Sequence, residues 1–335
     1  MDAEAPIPRT GIVVIGRNEG ERLIGCLESL RPTRRLLVYV DSGSRDGSVG
    51  RAHGLCDRVV ELDPARPFSA ARARNEGFAA LLAARPGTAF VQFLDGDCTL
   101  LPGWLDAAER AMDDDPVRAV VIGALQERHP EASIYNRLCA MEWKSSVGDL
   151  SNFGALGGIM LVRAAVFSRL GGFNVQVIAG EDSEFGVRVG AAGQKITKID
   201  APMATHDADI HRFGQWWRRA VRSGHAVGQR FELNGRGPLR DCARERRSVL
   251  LWGVGLPLLI IGPAPFTGGA SLLLAFGYVL LGLRVARYRR TQGDESADAR
   301  LYAFFVVLSK FAEAVGLLKF KLNSLAGHYR IIEYK

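Results

Sequence analysis

The sequence predicts an α/β fold with a mixed, mostly parallel sheet, followed by C-terminal membrane helices. The first half of the 335-residue chain repeats a short apolar run, a polar turn and a stretch with helical spacing. Charge is also divided unevenly, because residues 1–210 carry a net charge of −5 and residues 211–335 carry +12. We therefore predict an α/β domain over residues 1–235 and a membrane-associated region over residues 236–335.

Five apolar runs are the predicted strands of the sheet. Most are continuous rather than alternating, as expected when helices cover both faces of a sheet. They are residues 11–16, 36–40, 59–62, 89–94 and 119–124. Helical spacing falls between them, over residues 21–30, 70–84 and 102–112. Ligands of such a sheet bind beyond the carboxyl ends of the strands, so the loops after the strands form the candidate site.

An almost uncharged apolar stretch covers residues 248–285 and is interrupted by two prolines and two adjacent glycines. We interpret it as a helical hairpin over about residues 248–287. Each arm is slightly shorter than the ~20 residues that cross the hydrocarbon, so the arms either span the bilayer or re-enter. Arginines flank both ends, which predicts that both ends stay on the cytoplasmic side. A buried helical pair in a soluble domain is the alternative.

The remaining C-terminal sequence also indicates a membrane surface. Residues 301–320 include Lys310, Glu313 and Lys319 and suit an interfacial helix. A basic segment that is also apolar points to anionic lipid rather than to nucleic acid. The five cysteines are scattered without metal-site spacing, which indicates a reduced environment. We therefore predict an inner-membrane location with the catalytic domain facing the cytoplasm, and no nucleic-acid partner.

Acidic loops follow the first two predicted strands. Glu19 follows the first strand, and Asp41 and Asp46 follow the second. No phosphate-cradling glycine loop stands at these positions, which removes the main support for dinucleotide or P-loop chemistry. A carboxylate at a strand end accepts hydrogen bonds from ribose hydroxyls or a base N–H, so these loops are candidate nucleoside-binding loops. Ordinary turn chemistry is the alternative for either loop alone.

The fourth predicted strand runs directly into Asp95-Gly96-Asp97. The central glycine frees the backbone and lets both carboxylates face one hard cation, such as Mg²⁺ or Mn²⁺. Such a cation would neutralise the charge that builds on a departing diphosphate. His206 follows a further predicted strand and is a candidate third metal ligand or phosphate donor, with a purely structural role as the alternative.

Five motifs in this order resemble the inverting GT-A glycosyltransferases of family 2, and the likeness covers about residues 10–225. The motifs are V-V-I-G-R-N-E at 13–19, V-D-S-G-S-R-D-G at 40–47, A-R-N-E-G at 73–77, D-G-D at 95–97 and G-E-D at 180–182. The resemblance implies a Rossmann-like GT-A domain, a nucleotide-sugar donor and a divalent cation.

The resemblance also implies roles for particular residues. The family's A-R-N-x-G helix start contacts the nucleotide, which implies that role for Arg74 and Asn75. The second position of its E-D motif supplies the catalytic base, which implies Asp182. Glu181 beside it should raise the pKa of Asp182 by like-charge repulsion. The alternative for these two acids is the cap and first turn of a helix.

A narrower likeness is to a bacterial membrane-associated subgroup, carried by Q-W-W-R-R-A-V-R at 215–222 and I-I-E-Y-K at 331–335. Arg218 and Arg219 in the first run are candidates for binding the diphosphate or lipid headgroups. Processive polysaccharide synthases carry Q-x-x-R-W at this point. Position 219 is arginine where that pattern has tryptophan, which argues against processivity.

We therefore expect a membrane-associated inverting glycosyltransferase that moves a sugar from a nucleotide-sugar to a lipid-linked or membrane-proximal glycan acceptor, in bacterial polysaccharide or glycolipid biosynthesis. One alternative is a metal-dependent nucleotidyl or phosphoryl transferase on the same scaffold, for which Asp97 would be essential and Asp182 dispensable. The other is a non-catalytic, membrane-tethered nucleotide-binding module, which would bind the donor without turnover.

Overall fold

A computed structural model describes residues 8–151, 153 and 156–327, so the closing motif at 331–335 lies outside the described residues. The chain forms two compact units. The first unit runs to residue 128 and adds residues 145–176 and 181–208, and the second contains residues 129–144, 177–180 and the chain from residue 209 onward. The functional division at residue 235 stays a prediction, because compactness alone does not define a functional domain.

The first unit is built on one mixed sheet, which confirms the predicted α/β class. Its strands are β1 Thr10–Gly16, β2 Leu37–Asp41, β3 Arg58–Glu61, β4 Phe90–Asp95, β5 Cys98–Leu100, β6 Arg118–Glu127, β7 Gly148–Asp149, β8 Met160–Arg163 and β9 Lys195–His206. In the described residues the order is β3-β2-β1-β4-β8-β6-β9-β5, and β7 pairs with β9. The pairs β2–β3, β1–β2, β1–β4 and β6–β9 are parallel, whereas β8 is antiparallel to both its neighbours.

The described helices follow in chain order. They are α1 Glu21–Leu30, α2 Ser48–Ala52, α3 Ala70–Ala84, α4 Trp104–Asp114, α5 Ile134–Glu142, α6 Ala164–Arg169, α7 Glu181–Ala191, α8 Phe213–Asn234, α9 Ala243–Leu250, α10 Leu256–Ile261, α11 Phe276–Thr291 and α12 Ser296–Ala326. A π-helical turn, Leu251–Gly255, joins α9 to α10, and a 3₁₀ helix, Ala270–Ala275, leads into α11. The predicted bounds of α1 and α3 coincide with the observed ones.

Helix α3 lies close to the sheet because the residue that it turns toward β1 and β2 is a glycine, Gly77. A Cβ on Gly77 would overlap Val13 Cγ1 and lie 2.8 Å from Val40 Cγ2. Ser69 begins the helix, its side chain accepting a hydrogen bond from the Arg72 N–H at 3.1 Å. This packing fixes the start of α3, and with it the A-R-N-E-G motif, against the carboxyl half of β1 and β2.

The parallel pairing brings the acidic loops to one edge of the sheet. Ile15 on β1 is opposite Asp95 at the end of β4, and Gly16 is opposite Asp41 at the end of β2. Parallel strands present their carboxyl ends on the same edge, so the loops after β1, β2 and β4 meet there. The predicted position of the site in the fold rests on this register.

The second unit contains a hairpin and a long helix. Tyr278 Oη donates to the Trp252 carbonyl at 2.7 Å and Ser271 Oγ donates to the Ile260 carbonyl at 2.7 Å, so the two arms are antiparallel. Two segments are long and apolar enough to cross a membrane, 270–291 and 296–326, by length and composition alone. The predicted interfacial helix over residues 301–320 lies inside the second of them.

Two glycine-to-alanine changes test the packing of α3. Gly77→Ala should lower the thermal unfolding midpoint, because an overpacked core contact costs about 1–3 kcal/mol. Gly25→Ala in α1 is the matched control, since its added Cβ meets nothing within 4 Å. That change should raise stability by about 0.5–1 kcal/mol, the usual gain for alanine in a helix. An equal rise for both variants in calorimetry would contradict the close approach of α3 to β1.

Candidate active site

The carboxylate of Asp97 and the imidazole of His206 lie close together just beyond β4. Asp97 follows β4 by two residues, and His206 ends β9 and is brought beside it because Cys98 on β5 pairs with His206. The distance from His206 Nε2 to Asp97 Oδ2 is 3.8 Å. Two ligands that each lie about 2.1 Å from one cation are at most ~4.2 Å apart, so this spacing fits a shared Mg²⁺ or Mn²⁺. The group of possible ligand atoms in the described residues consists of Asp97, Cys98 and His206, and the predicted ligand role of Asp95 stays a prediction.

Glu127 ends β6 and hydrogen-bonds the ring nitrogen of His206 that does not face Asp97. The sequence did not predict a role for Glu127. Its side chain is 0% exposed, and Oε2 lies 2.8 Å from His206 Nδ1. Its other oxygen, Oε1, accepts the Ala208 N–H at 2.8 Å. A carboxylate only accepts hydrogen bonds, so Nδ1 carries a proton and Nε2 is the ring nitrogen that faces Asp97. Metal-binding histidines are held in this way by a second carboxylate.

A thiol lies beside the same carboxylate. Cys98 Sγ donates a weak hydrogen bond to Asp97 Oδ1 at 3.4 Å. Burial raises the pKa of Cys98 well above its usual value, and Asp97 and Asp95 raise it further. The thiol is therefore protonated, and the oxygen and nitrogen atoms around it are the ligands suited to a hard cation.

Arg74 connects the two acidic motifs. This buried side chain donates from Nη2 to Asp95 Oδ1 at 2.6 Å, and its Nη1 donates to Glu181 Oε1. Burial acts to lower the pKa of Arg74, but Asp95 and Glu181 outweigh it and the pKa is raised. Burial raises the pKa of Asp95, and Arg74 opposes that rise. The guanidinium thus stays charged and fixes one oxygen of each carboxylate.

Gly158 lies between the metal-site acids and the candidate base. Its N–H donates to Asp182 Oδ2 at 3.0 Å. A Cβ on Gly158 would overlap Arg74 Nη2 and lie 3.4 Å from Asp95 Oδ2. Its φ of +73° is a left-handed conformation that favours glycine. Asp182, in the first turn of α7 and 9% exposed, is therefore held close to Asp95 by a position where only glycine fits.

Asp41 shapes the loop that follows β2. Its Oδ1 accepts from Tyr39 Oη at 2.8 Å, and its Oδ2 accepts the N–H groups of Gly43 and Ser44 at 2.8 and 2.7 Å. Burial raises the pKa of Tyr39, and Asp41 raises it further, so the phenol remains a donor. A carboxylate offers about four lone-pair directions, two on each oxygen, so Oδ2 is filled and Oδ1 can accept about one further hydrogen bond.

Asp46 and Glu19 join the first two loops. Asp46 Oδ2 accepts the Gly20 N–H at 2.9 Å. Burial acts to raise the pKa of Asp46, but hydrogen bonds from Ser48 and Gly20 bring it below its usual value. Glu19 forms an ion pair with Arg22 at 2.9 Å, and its Cγ would be 3.3 Å from a Cβ on Gly96. Glu19 therefore borders the Asp95–Asp97 turn.

The other candidate residues have partners or positions that the sequence does not reveal. Asn75 donates to the Phe173 carbonyl at 2.8 Å and accepts the Phe173 N–H at 2.9 Å, so its amide holds the loop before α7. In the second unit, Arg219 forms an ion pair with Glu142 at 2.7 Å, and Arg218 is exposed. The predicted contacts of these three residues with the nucleotide or diphosphate stay predictions.

Several characterised proteins are similar to this chain. The pre-mycofactocin glycosyltransferase of Mycobacterium tuberculosis is 29% identical over 291 residues, which cover 83% of this chain and 57% of that protein. Glycosyltransferase AglE of Haloferax volcanii is 24% identical over 243 residues, covering 68% of this chain and 76% of the relative. The chain thus spans little more than half of the mycobacterial protein that it resembles.

Solved glycosyltransferase structures and a family profile are also similar to this chain. The mannosyltransferase PcManGT of Pyrobaculum calidifontis, solved with GDP-Man and Mn²⁺, superposes with a TM-score of 0.61 at 20% identity, covering 94% of this chain and 88% of that one. Residues 1–349 of TarS from S. aureus give 0.52 at 14% identity, covering 96% and 92%. Residues 11–168 match the profile of glycosyl transferase family 2. Over residues 11–168, which carry most of the sheet, the chain is therefore similar to glycosyl transferase family 2.

Proposed function

We propose that the chain is an inverting glycosyltransferase that transfers a sugar from a nucleotide-sugar donor to a hydroxyl of a lipid-linked or membrane-proximal acceptor. The proposal depends on one observation: Gly158 donates its N–H to Asp182 and borders Asp95, which lies two residues before the Asp97 that approaches His206. A cation-binding group and a carboxylate base are the two parts that a single displacement on a sugar diphosphate requires.

The residues around the candidate cation fit Mg²⁺ or Mn²⁺. Asp95 and Asp97 supply oxygen, and His206 supplies Nε2 because Glu127 holds its other ring nitrogen. A bound cation would neutralise charge on the departing diphosphate. The resemblance to a mannosyltransferase solved with GDP-Man and Mn²⁺ supports a nucleotide-sugar donor with such a metal.

The protein's own residues perform the remaining steps of the proposed reaction. The acceptor oxygen attacks the anomeric carbon, the bond from that carbon to the diphosphate oxygen breaks, and the diphosphate leaves with the electron pair. The hydroxyl proton passes to Asp182. The Gly158 N–H at 3.0 Å holds Asp182 Oδ2, which aims the carboxylate. Glu181 is engaged by Arg74, so Asp182 is the better candidate for the base.

The second unit supports a membrane-proximal acceptor. Phe266 at the tip of the hairpin is 91% exposed, and the flanking arms expose Leu258, Ile261 and Leu273. From Arg247 to Ile261 the first arm rises about 21 Å at ~1.5 Å per residue, less than the ~30 Å of the hydrocarbon. We therefore propose that the hairpin enters the bilayer from the cytoplasmic side of the inner membrane and returns.

Helix α12 is placed at the membrane surface in the same proposal. Its Phe305 packs on Trp216 of α8 with ring centroids 4.8 Å apart. Further along, a Cβ on Gly316 would overlap the Val221 carbonyl oxygen. Helix α8 carries several arginines and cannot cross the hydrocarbon, so a helix packed along it lies at the interface more favourably than across the bilayer.

Replacing the proposed base tests the reaction class. Asp182→Asn should lower nucleoside diphosphate release by about 100- to 10,000-fold, the usual contribution of a general base, while binding of the nucleotide-sugar stays unchanged. Release is measured on membranes with a panel of sugar nucleotides, with Asp114→Asn on the exposed end of α4 as the control. Full activity of Asp182→Asn together with an inactive Asp97→Asn would indicate a nucleotidyl or phosphoryl transferase instead.

Replacing Glu127 tests the histidine ligand. Both partners of Glu127, His206 Nδ1–H and the Ala208 N–H, are donors, so a glutamine must face one of them with its NH₂ group. Glu127→Gln should therefore weaken Mn²⁺ binding about 10- to 100-fold, measured by electron paramagnetic resonance titration. The exposed Glu61→Gln is the control. Unchanged Mn²⁺ affinity in Glu127→Gln would remove His206 from the proposed ligand set.

The depth of the hairpin is tested by labelling. Thr267→Cys at the tip should resist a membrane-impermeant maleimide in both right-side-out and inverted vesicles, whereas Gln292→Cys beyond the hairpin should react only in inverted vesicles. The wild-type chain, with its five native cysteines, supplies the background. Labelling of Thr267→Cys from the outside would show a hairpin that crosses the bilayer completely.

A further inference from the structure

The hairpin contains an apolar groove of about 320 Å³. Its lining residues come from both arms and are Leu251, Trp252, Leu256, Leu273, Leu274 and Gly277. A Cβ on Gly277 would lie 3.3 Å from both Leu256 Cδ2 and Trp252 Cζ3, so the glycine gives the groove its depth. The first arm is π-helical at this level, and such turns often occur at functional sites.

Two pairs of arginines lie between the groove and the open end of the hairpin, which we call its base. The hydrogen bonds between Trp252 and Tyr278 and between Ile260 and Ser271 set the antiparallel register of the arms. Continued toward the base, that register puts Arg247 level with Arg284, and Arg244 level with Arg287. All four side chains are exposed, and no acidic partner pairs with them in the part of the chain that the structure describes. Glu245 is the acid nearest to them in sequence.

The distance between the arginines and the groove matches the distance between the phosphate group and the acyl chain of a phospholipid. Arg247 precedes Leu251 by one helical turn, about 6 Å, and Arg284 follows Gly277 by two turns, about 10 Å. The planar fork of arginine binds phosphate oxygens with two parallel hydrogen bonds. A ligand whose phosphate diester is joined through glycerol to an acyl chain reaches both features, whereas a free phosphate leaves the groove empty.

We propose that the base of the hairpin binds one anionic phospholipid of the bilayer. Its phosphate lies between Arg247 and Arg284, and one acyl chain fills the groove over Gly277. Four guanidinium charges against one carboxylate favour a lipid with net negative charge over a zwitterionic one. This inference rests on the membrane insertion given under the proposed function.

Lipid titration of the full chain in a mild non-ionic detergent tests the site. Phosphatidylglycerol should raise the thermal unfolding midpoint and remain bound in native mass spectrometry, and phosphatidylcholine should do so about tenfold more weakly or not at all. Arg247→Gln with Arg284→Gln should abolish the preference for phosphatidylglycerol. Arg300→Gln, an exposed arginine on α12, is the control and should retain it.

Two further measurements separate the contribution of the apolar groove from that of the arginine charges. Gly277→Leu should reduce retention of both lipids, and its circular dichroism spectrum shows whether it is folded. Glycerol 3-phosphate, which has no acyl chain, should not stabilise the wild type. Equal retention of the two lipids by the wild type, or a preference that survives the double arginine change, would overturn the proposal. Failure of the wild type to float with vesicles of either lipid would instead overturn the membrane insertion itself.

Discussion

The buried guanidinium of Arg74 is the constraint on which the site depends. It binds Asp95 at the end of β4 and Glu181 in the first turn of α7, two carboxylates that would otherwise repel each other in a buried setting. Loss of one partner of a buried ion pair typically costs about 3–5 kcal/mol, because the remaining charge is left unpaired. Arg74 therefore fixes the positions of Asp95 and Glu181 relative to each other, and Gly158 keeps the space that this arrangement needs.

The fold was largely predictable from the sequence because its signals are local. Apolar runs and turn residues located β1, β2 and β4, and parallel pairing then brought Asp41 and Asp95 to one edge. Glu127 was not found, since its partner His206 is 79 residues away and a single acid at a strand end has no pattern. The same holds for Asn75, whose hydrogen bonds to Phe173 span 98 residues. Side chains that pair across such distances in the sequence leave no local pattern, so the sequence does not predict them.

The second unit carries the features on which the membrane proposal depends. They are an exposed apolar tip, a first arm shorter than the hydrocarbon and arginines at the open end of the hairpin. The length of α12 alone would permit a span, but its packing along the charged helix α8 competes with that arrangement.

The central claim is that a divalent cation lies between Asp97 and His206. A crystal structure of the chain grown with Mn²⁺ and a nucleoside diphosphate tests it through the anomalous signal of manganese. The account predicts a peak about 2.1–2.3 Å from a carboxylate oxygen of Asp97 and from His206 Nε2, with the diphosphate on its open side. A manganese peak elsewhere, or a His206 ring turned so that Nε2 contacts Glu127, would contradict it.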